Sequence, residues 1–465
     1  MLVQQKIKNN NYKDPLFDRK VDLVTAGLRT RYARILKNEL SYDNALIICN
    51  YITSMKTEVN LSDNYRRMNI DILGQLSKFY DNQKPFNQIT REDVLSYLDS
   101  LRKPETLDPL HKWVGTYNLY GTQLKRFFKW LYYPDIEPSK RPKPNIMENI
   151  PTLRRKEKSI YKPSDLWTPE EDLIFLRYCP SIRMKCYHAV ARDLGCRPHE
   201  ILKLKIRDIV FKVVAGGEEG GIAQYAQVAI NGKTGTRTLP LIDSLPYVKD
   251  YLDHEHPQSG NPNAIFICGT GKSLGRSIRP ESLNHIYARY KTDFFPKLLE
   301  FPNVPPEDKQ RIRELLKKPW APYLIGRHTS LTQKSRILKE STLRIFSGWT
   351  NNSSMPQRYL HFFGNEACES ILAACGILPK GQQMSNLMKG RQCPNCNYSA
   401  NKHDSKFCAK CRMVLTYDAY SKTVEDKQAK DDAITTLTDQ VTKLMVEVQE
   451  LKRYRAHAMA AFSSP

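Results

Sequence analysis

A tyrosine late in the chain follows a segment that suits a loop better than a helix. In SGWTNNSSMPQRYLHFFGNEA, Tyr359 comes ten residues after Trp349, beyond the polar run NNSS and directly behind an arginine. Because Asn and Ser side chains compete for helical backbone hydrogen bonds, the segment is predicted to be a loop that presents one tyrosine. A phenol with a pKa of about 10 is mostly protonated at neutral pH, so Tyr359 can be a nucleophile only where its site activates it.

Three earlier segments carry cationic side chains that suit a phosphate ester. Arg197 lies in ARDLGCRPHEILKLKIRDI, Lys233 lies in INGKTGTRTLPL at a predicted β-turn, and Arg327 lies in APYLIGRHTSLT. A guanidinium is planar and permanently charged, so two arginines can hold the non-bridging oxygens of one phosphate. The indole N–H of Trp349 can donate to a phosphate oxygen but cannot act as a base. Each motif is weak alone, and the signal is their order over about 160 residues.

Four of the eleven cysteines have the spacing of a metal site. CPNCNYSANKHDSKFCAKC holds two Cys-x2-Cys pairs with eleven residues between them, formed by Cys393, Cys396, Cys408 and Cys411. Four thiolates at this spacing predict the closed, tetrahedral Zn²⁺ site of a zinc ribbon, and a site with no open position is structural. A redox dithiol pair and an iron–sulfur cluster are the alternatives. The other seven cysteines are scattered and are expected to be small core residues.

The charge of the chain narrows the choice of partner. Its 465 residues include 72 Lys and Arg against 49 Asp and Glu, which gives a formal charge of +23. This balance favours a polyanion, with double-stranded DNA as the first candidate and a membrane surface as the second. No apolar run approaches the roughly 18 residues of a membrane span, and the N-terminus lacks the apolar core of a signal peptide. A reducing, cytoplasmic location is therefore expected.

The elements that must position these residues separate into several domains. Residues 40–133 have helical periodicity, with a capping box in ITREDVLSYLDSL and an apolar stripe in TYNLYGTQLKRFFKWLYY. Prolines and basic residues then alternate in a stiff linker, and WTPEED marks a firm helix start. The stretch IVFKVVAGGEEGGIAQYAQVAINGKTGTRTLPL is rich in β-formers, and its glycines are typical of a hairpin connection rather than of a phosphate-binding loop. Residues 280–375 return to a helical pattern.

The C-terminal segment DDAITTLTDQVTKLMVEVQELKRY has the heptad pattern of a coiled coil. Its apolar residues recur at alternating steps of three and four: Ile434, Leu437, Val441, Leu444, Val448 and Leu451. β-Branched residues at the a positions and leucines at the d positions favour a parallel two-stranded coil, in which Glu447 can pair with Lys452. Three heptads are marginal alone, and an amphipathic helix packed on its own domain is the alternative.

The order Arg, Lys, Arg, Trp, Tyr resembles that of the tyrosine recombinases, the phage-integrase family, over about residues 40–375. The archaeal integrases look most similar, chiefly through SGW, YLHFFGNEA and the trailing GILP. The resemblance implies a multidomain, mainly α-helical protein, with a helical core-binding domain and an α+β catalytic domain that contains a small antiparallel sheet. The expected parts are a basic N-terminal arm (1–35), the core-binding domain (36–135), a basic linker (136–164), the catalytic domain (165–378), the zinc ribbon (388–415) and the coiled coil (429–456).

The resemblance also implies an activity, the cutting and rejoining of DNA at a specific site through a 3′-phosphotyrosine. Tyr359 is then the nucleophile, Arg197 and Arg327 hold the phosphate, and Lys233 protonates the leaving 5′ oxygen. Trp349 falls where the family carries His or Trp. The family needs no cofactor for this reaction, because the phosphotyrosine conserves the bond energy, and four protomers act together on DNA.

One position departs from the family pattern. Many members carry His three residues before the second arginine, where this chain has Leu324. Archaeal members often use Tyr there, so we interpret Gly326 as a one-residue insertion that makes Tyr323 the match. A tyrosine packed in the core is the alternative. His328 is expected to support its helix rather than to act as a base.

Two other functions stay open at this point. A catalytically impaired DNA-binding regulator on the same fold would explain the missing histidine, although the Arg, Lys, Arg, Trp, Tyr set opposes it. A type IB topoisomerase-like enzyme shares the tyrosine chemistry but relaxes DNA as a monomer, which the coiled coil disfavours. For the recombinase, a nucleoid-associated archaeal protein of a mobile element is expected.

Overall fold

In the computed structural model, the described residues are 14–59, 61–154, 162–215, 222–232, 235–360, 390–396, 398 and 401–461. The chain divides into two compact units, residues 1–160 and 161–465. Helices dominate the described part of each unit, and the second unit contains a three-stranded antiparallel sheet. The predicted fold class, mainly α with a small antiparallel sheet, is confirmed. Among the described helices, none is both long and apolar enough to cross a membrane.

The first unit is a set of helices around one apolar core. These helices are α1 (Pro15–Thr25), α2 (Thr30–Arg34), α3 (Tyr42–Glu58), α4 (Asp63–Phe79), α5 (Arg91–Asp99) and α6 (Trp113–Tyr132). The predicted capping box starts α5, where Thr90 and Asp93 each accept a hydrogen bond from the backbone N–H of the other. The predicted stripe on α6 faces the core, because Leu124, Phe127 and Phe128 are fully buried.

The N-terminal boundary of this unit differs from the expected one. The expected basic arm, residues 1–35, contains α1 and α2, and Val21 and Tyr32 of these helices lie in the core. The prediction missed these helices because their few apolar residues were outweighed by the surrounding charge.

The expected linker, residues 136–164, is also folded onto the unit in its described part. Met147 is buried in the same core, and the guanidinium of Arg141 donates to both carboxylate oxygens of Glu58 on α3 at 3.0 and 2.7 Å. A buried arginine is tolerated only when its charge is paired. The described part of the linker is therefore an ordered extension of the first unit.

The second unit combines the sheet with a longer series of helices. The strands are β1 (Ile209–Ala215), β2 (Ile222–Gly232) and β3 (Gly235–Leu241). The helices are α7 (Pro169–Tyr178), α8 (Ile182–Leu194), α9 (Pro198–Ile201), α10 (Leu245–His254), α11 (Pro280–Arg289), α12 (Phe295–Leu298), α13 (Pro306–Lys317), α14 (Thr329–Lys334), α15 (Glu340–Ser347), α16 (Met355–Leu360) and α17 (Tyr417–Ala461). The WTPEED motif starts α7 with the predicted capping box between Thr168 and Glu171.

The sheet has the order β1-β2-β3, and both strand pairs are antiparallel. Ala215 pairs with Ile222, so β1 and β2 form the predicted hairpin, whose glycine-rich connection lies outside the described residues. Along β3 buried residues alternate with exposed ones, and the buried face carries Arg237, Leu239 and Leu241. A charged side chain thus shares a face with two core leucines.

The cysteine-rich module and α17 complete the second unit. Lys402 of the module forms an ion pair with Asp250 of α10 at 2.6 Å, and Lys249 of α10 lies 5.0 Å from the ring centroid of Tyr398. The module, expected to be a unit of its own, is therefore anchored to α10. Helix α17 starts well before the predicted residue 429. The apolar stripe of its heptads is exposed, so the alternative of a helix packed on its own domain is wrong.

Candidate active site

The turn between α8 and α9 positions Arg197. Gly195 ends α8 with φ at 57°, and a Cβ there would lie 2.9 Å from the hydroxyl of Ser330, so both conformation and space require glycine. The Nη1 of Arg197 donates to Oε1 of Glu200 at 2.9 Å. Burial opposes the ionisation of Glu200, but hydrogen bonds from Arg237 and from Arg197 hold its pKa below the ordinary value. Arg197 keeps 27% of its side chain exposed, so it can still reach a ligand.

Arg237 of β3 joins this pair, although sequence analysis did not single it out. Its Nη2 donates to Oε2 of Glu200 at 2.9 Å, and its Nε donates to the carbonyl of Phe346 at 3.1 Å. Its Nη1 is buried and has no hydrogen-bond partner among the described residues. A Cβ on Gly232 or Gly348 would lie 2.9 or 2.8 Å from that nitrogen, so both glycines make room for the guanidinium. The signal that could have found Arg237 is its inward position in the alternation of TRTLPL.

Arg327 is 1% exposed and ties two loops of the site together. Its Nη1 donates to the carbonyl of Gly195 at 3.1 Å, and its Nη2 donates to the carbonyl of Ser347 at 2.9 Å. Burial, followed by the charge of Arg197, lowers the pKa of Arg327, but an arginine stays protonated far above neutral pH. The charge of Arg197 is near enough to lower the pKa of Arg327, and two like charges in one site favour an anion between or beside them.

A π-helical turn at Leu324–His328 carries the second arginine. One extra residue in an α-helix produces such a turn, which agrees with the interpretation of Gly326 as an insertion. Gly326 packs against α8, where a Cβ would lie 2.9 Å from Cβ of Ala191. Tyr323 is 37% exposed, so the core-packed alternative is wrong, and its ring lies edge-on to His328 with centroids 4.9 Å apart.

Tyr359 is enclosed between two flat rings. It is 1% exposed, and its ring stacks on Trp349 at 5.3 Å and on His328 at 5.6 Å between centroids. The hydroxyl of Tyr359 lies 3.2 Å from Nδ1 of His328. His328, expected only to support its helix, is thus placed where it can accept the proton of the phenol. Sequence analysis undervalued His328 because the ring-to-ring contact joins residues 31 positions apart.

The polar loop before Tyr359 is held by Arg344 of α15. Its Nη1 donates to the carbonyls of Thr350, Asn351 and Ser353 at 3.2, 2.8 and 3.0 Å. Its Nη2 also forms an ion pair with Glu340 at 2.7 Å. The predicted loop is therefore limited to residues 349–354, and Tyr359 lies on the short helix α16 that follows it rather than on the loop itself.

The indole of Trp349 presents an unusual donor. Its Nε1 is buried and has no hydrogen-bond partner in the part of the chain that the structure describes. The guanidinium carbon of Arg327 lies 5.9 Å from the centre of the same ring system. A buried donor without an acceptor costs about 1–3 kcal/mol, so a bound ligand that supplies the acceptor would recover this energy. The position fits a donor to a phosphate oxygen.

Lys233 lies outside the described residues, in the two-residue connection between Gly232 and Gly235, which pair at the ends of β2 and β3. A Cβ on Gly232 would lie 2.8 Å from Oε1 of Glu200. This end of the hairpin therefore lies next to Glu200, the ion-pair partner of Arg197. Of the predicted catalytic residues, the structure brings together five from three segments: Arg197, Tyr323, Arg327, Trp349 and Tyr359.

The four predicted metal ligands form a separate cluster. The sulfur atoms of Cys393, Cys396, Cys408 and Cys411 all lie within 4.8 Å of one another. The Sγ atoms of Cys393 and Cys411 are 3.5 Å apart, far longer than a disulfide and close to the roughly 3.8 Å between ligands in a tetrahedral site with Zn–S bonds of about 2.3 Å. The backbone N–H of Met413 lowers the pKa of Cys411 to about 6, whereas burial raises the pKa of Cys396, so the support for a metal comes from the placement of the four sulfur atoms. The cluster can therefore hold one metal ion with four sulfur ligands.

The sequence matches no protein-family model and no curated protein. Among solved structures, the chain is similar to the Tn1549 transposon integrase in complex with transposon right-end DNA, at 14% identity over 71% of this chain and 99% of that chain, with a TM-score of 0.44. It is also similar to a λ integrase dimer bound to a COC′ core site, at 11% identity over 76% of this chain and 86% of that chain, with a TM-score of 0.44. The XerA recombinase is similar at 15% identity over 71% of this chain and 98% of that chain, with a TM-score of 0.32. Because these TM-scores lie below 0.5, we base the functional proposal on the residues of the site alone.

Proposed function

We propose that this protein is a DNA strand transferase, a site-specific recombinase of the integrase type, whose covalent intermediate joins Tyr359 to a 3′-phosphate of DNA. The observation that carries the proposal is the setting of Tyr359. Its hydroxyl lies 3.2 Å from a proton acceptor on His328, and its ring stacks on Trp349, beside the buried Arg327. A phenol in a merely structural role needs neither a buried unpartnered donor nor paired arginines beside it.

In the forward step the oxygen of Tyr359 attacks the phosphorus, and the bond from phosphorus to the 5′ oxygen breaks. The phenol proton passes to His328 as the new bond forms. Arg197 and Arg327 bind the non-bridging oxygens, whose charge is redistributed in the transition state, and the Trp349 indole adds a hydrogen bond. Each charged donor of this kind lowers the activation free energy by on the order of 3 kcal/mol.

The leaving 5′ oxygen needs a proton to become a stable hydroxyl. We assign this role to Lys233, with Tyr323 as the residue that replaces the family histidine beside the phosphate. Rejoining reverses every bond change: a 5′ hydroxyl attacks the phosphotyrosine and Tyr359 recovers its proton. Because one phosphodiester is exchanged for another ester, no nucleotide hydrolysis and no metal enter the proposed reaction.

The rest of the chain serves DNA binding and assembly in this proposal. Double-stranded DNA is the partner, because a formal charge of +23 over 465 residues favours a polyanion. The four cysteines hold a structural Zn²⁺, and the active form is a tetramer on DNA. We propose that the protein comes from an archaeal host or from one of its mobile elements and that it acts at the nucleoid.

The test is capture of the covalent intermediate on nicked suicide DNA, with candidate sites taken from the sequences that flank the gene. We expect an adduct that resists denaturant with the wild-type chain and none with Tyr359→Phe, which lacks only one hydroxyl. Both proteins should bind DNA with the same affinity. An adduct that persists in Tyr359→Phe would remove Tyr359 as nucleophile.

The adduct assay, together with relaxation of supercoiled plasmid, separates the two alternatives. A DNA-binding regulator would bind the substrate in every variant and never form an adduct. A type IB topoisomerase-like enzyme would relax supercoiled plasmid of any sequence as a monomer, whereas the recombinase requires its own site.

A further inference from the structure

The C-terminal helix α17 presents an unpaired apolar stripe to solvent. Six residues form this stripe, which we call the seam: Ile434, Leu437, Val441, Leu444, Val448 and Leu451. Between 48% and 68% of the surface of each is exposed, and their spacing of three and four places them on one face of the helix. Burial of large aliphatic side chains removes apolar surface from water, so a continuous stripe of six favours association.

The seam lies far from the point where α17 is attached. The helix begins at Tyr417, where Lys406 forms an ion pair with Asp418 at 3.1 Å and Ala419 is 3% exposed. The cysteine cluster in turn is anchored to α10 through Lys402 and Asp250. With a rise of about 1.5 Å per residue, the seam begins about 26 Å along the helix from this attachment. The anchored start of the helix therefore carries the seam away from its own module.

The residue types of the seam select one kind of partner. β-Branched residues occupy the three a positions, and leucines occupy the three d positions. This distribution favours two parallel strands over three or four. A second copy of the same helix supplies the matching surface without any other protein.

Charged residues beside the seam favour a parallel orientation of the two helices and limit the length of the apolar seam. Glu447 is at a g position and Lys452 is at the e position five residues later, so in a parallel pair each glutamate meets the lysine of the partner helix. In an antiparallel pair g positions face g positions and e positions face e positions, so both ion pairs would be lost. One heptad earlier, Lys427 and Lys430 occupy the a and d positions, which ends the apolar seam before Ile434.

We propose that α17 pairs with α17 of a second copy of this chain in a parallel, in-register, two-stranded coiled coil over Ile434–Leu451. This interface goes beyond the proposed covalent step, whose residues all come from one copy. It joins two catalytic units through the cysteine module, and its three heptads make it a weak dimer contact that a second contact or shared DNA would strengthen.

Disulfide trapping in the full-length chain tests the register. Leu444→Cys places a thiol at a d position, which faces its own counterpart only in a parallel, in-register pair. Thr442→Cys, two residues away on the outer face, is the matched control, and the wild-type chain with its eleven native cysteines gives the background. We expect Leu444→Cys to form at least about tenfold more covalent dimer under mild oxidation. Equal yields from the two variants would refute the parallel pairing.

Sedimentation without DNA tests whether a second copy of the chain is the partner of the seam. The wild-type chain should form dimers at concentrations up to about 100 μM, and Leu444→Glu should raise the dimer dissociation constant at least tenfold, or about 1.4 kcal/mol. Thr442→Glu adds the same charge on the outer face and should leave the constant within about threefold. A wild-type chain that stays monomeric, a species of three or four copies, or equal effects of the two glutamates would refute the proposal. None of these measurements involves cleavage, so they can fail or succeed independently of the proposed function.

Discussion

The candidate active site and the C-terminal helix differ in whether their side chains find partners within the chain. In the site, Arg327 donates to the carbonyls of Gly195 and Ser347, and Glu200 accepts from two arginines, all within one copy. On α17 the six seam residues are about half exposed or more. The candidate site thus satisfies its charged groups within one chain, whereas the helix leaves its apolar stripe for the second copy in the proposed dimer.

Two buried donors inside the candidate site are exceptions, because they find no hydrogen-bond partner within the described chain. The Nε1 of Trp349 and the Nη1 of Arg237 are buried donors without a hydrogen-bond partner among the described residues. The unpartnered Nε1 of Trp349, beside Arg327, suits a ligand with an acceptor, whereas apolar groups left in water indicate a protein surface. The type of group left without a partner therefore separates the candidate substrate site from the proposed assembly surface.

The largest effects are expected from the two arginines of the site. Arg197→Ala and Arg327→Ala should each lower the cleavage rate by about 10²–10³, because each removes charge aimed at the transition state. Arg327→Ala should lower the free energy of unfolding more than Arg197→Ala, because it leaves two carbonyls without their donor, at about 1–3 kcal/mol each, whereas Glu200 keeps Arg237 when Arg197 is removed. Single-turnover cleavage and urea unfolding measure the two effects. A variant that cleaves within about tenfold of wild type would mark its arginine as structural.

Next comes Arg237, which we regard as a positioning residue because it acts through Glu200 and the turn at Phe346. Arg237→Ala breaks a buried ion pair and should lower the free energy of unfolding by about 3–5 kcal/mol. Arg237→Lys keeps the charge but not the fork, and should recover part of the stability and of the cleavage rate at saturating DNA. Arg207→Ala, an exposed arginine next to the same sheet, is the control. If Arg237→Ala unfolds like this control, the link that Arg237 makes between Glu200 and Phe346 is wrong.

A smaller and more local effect is expected from the cysteine cluster. Cys393→Ser removes one of four sulfur ligands and should release about one equivalent of zinc per chain, measured by metal analysis. Loss of the metal should also free the module from α10, so trypsin should cut after Lys402, whose ion pair with Asp250 protects it in the folded module. Cys186→Ser, at a buried cysteine away from the cluster, is the control for metal content. Iron in the purified protein, or unchanged zinc in Cys393→Ser, would contradict the assignment.

The smallest effect on chemistry is expected from removal of the seam. Deletion of residues 430–465 should leave cleavage of one strand within about twofold of wild type, because the catalytic residues precede the module. The same deletion should abolish self-association in sedimentation and lower recombination, which needs several copies. A large loss of single-strand cleavage would show that the two regions are not separable.

Much of this molecule was predictable where the determining interactions are local. The capping boxes at Thr90 and Thr168, the stripe on α6 and the hairpin between β1 and β2 follow from residues a few positions apart. The spacing of the cysteines and the heptads of α17 are of the same kind, because the ligand geometry and the helical period are fixed by covalent structure. The order of the catalytic motifs also stands in the sequence itself.

The tertiary structure decided which of these residues meet, and which others join them. Arg327 bonds to a carbonyl 132 positions away, and Arg237 bonds to one 109 positions away. The placement of His328 beside Tyr359, the docking of the cysteine module on α10 and the burial of Arg141 against Glu58 likewise depend on how helices and strands pack. Sequence patterns determine the period and the ends of each element. Contacts between distant elements depend instead on the packing of the whole core, and no local pattern encodes that packing.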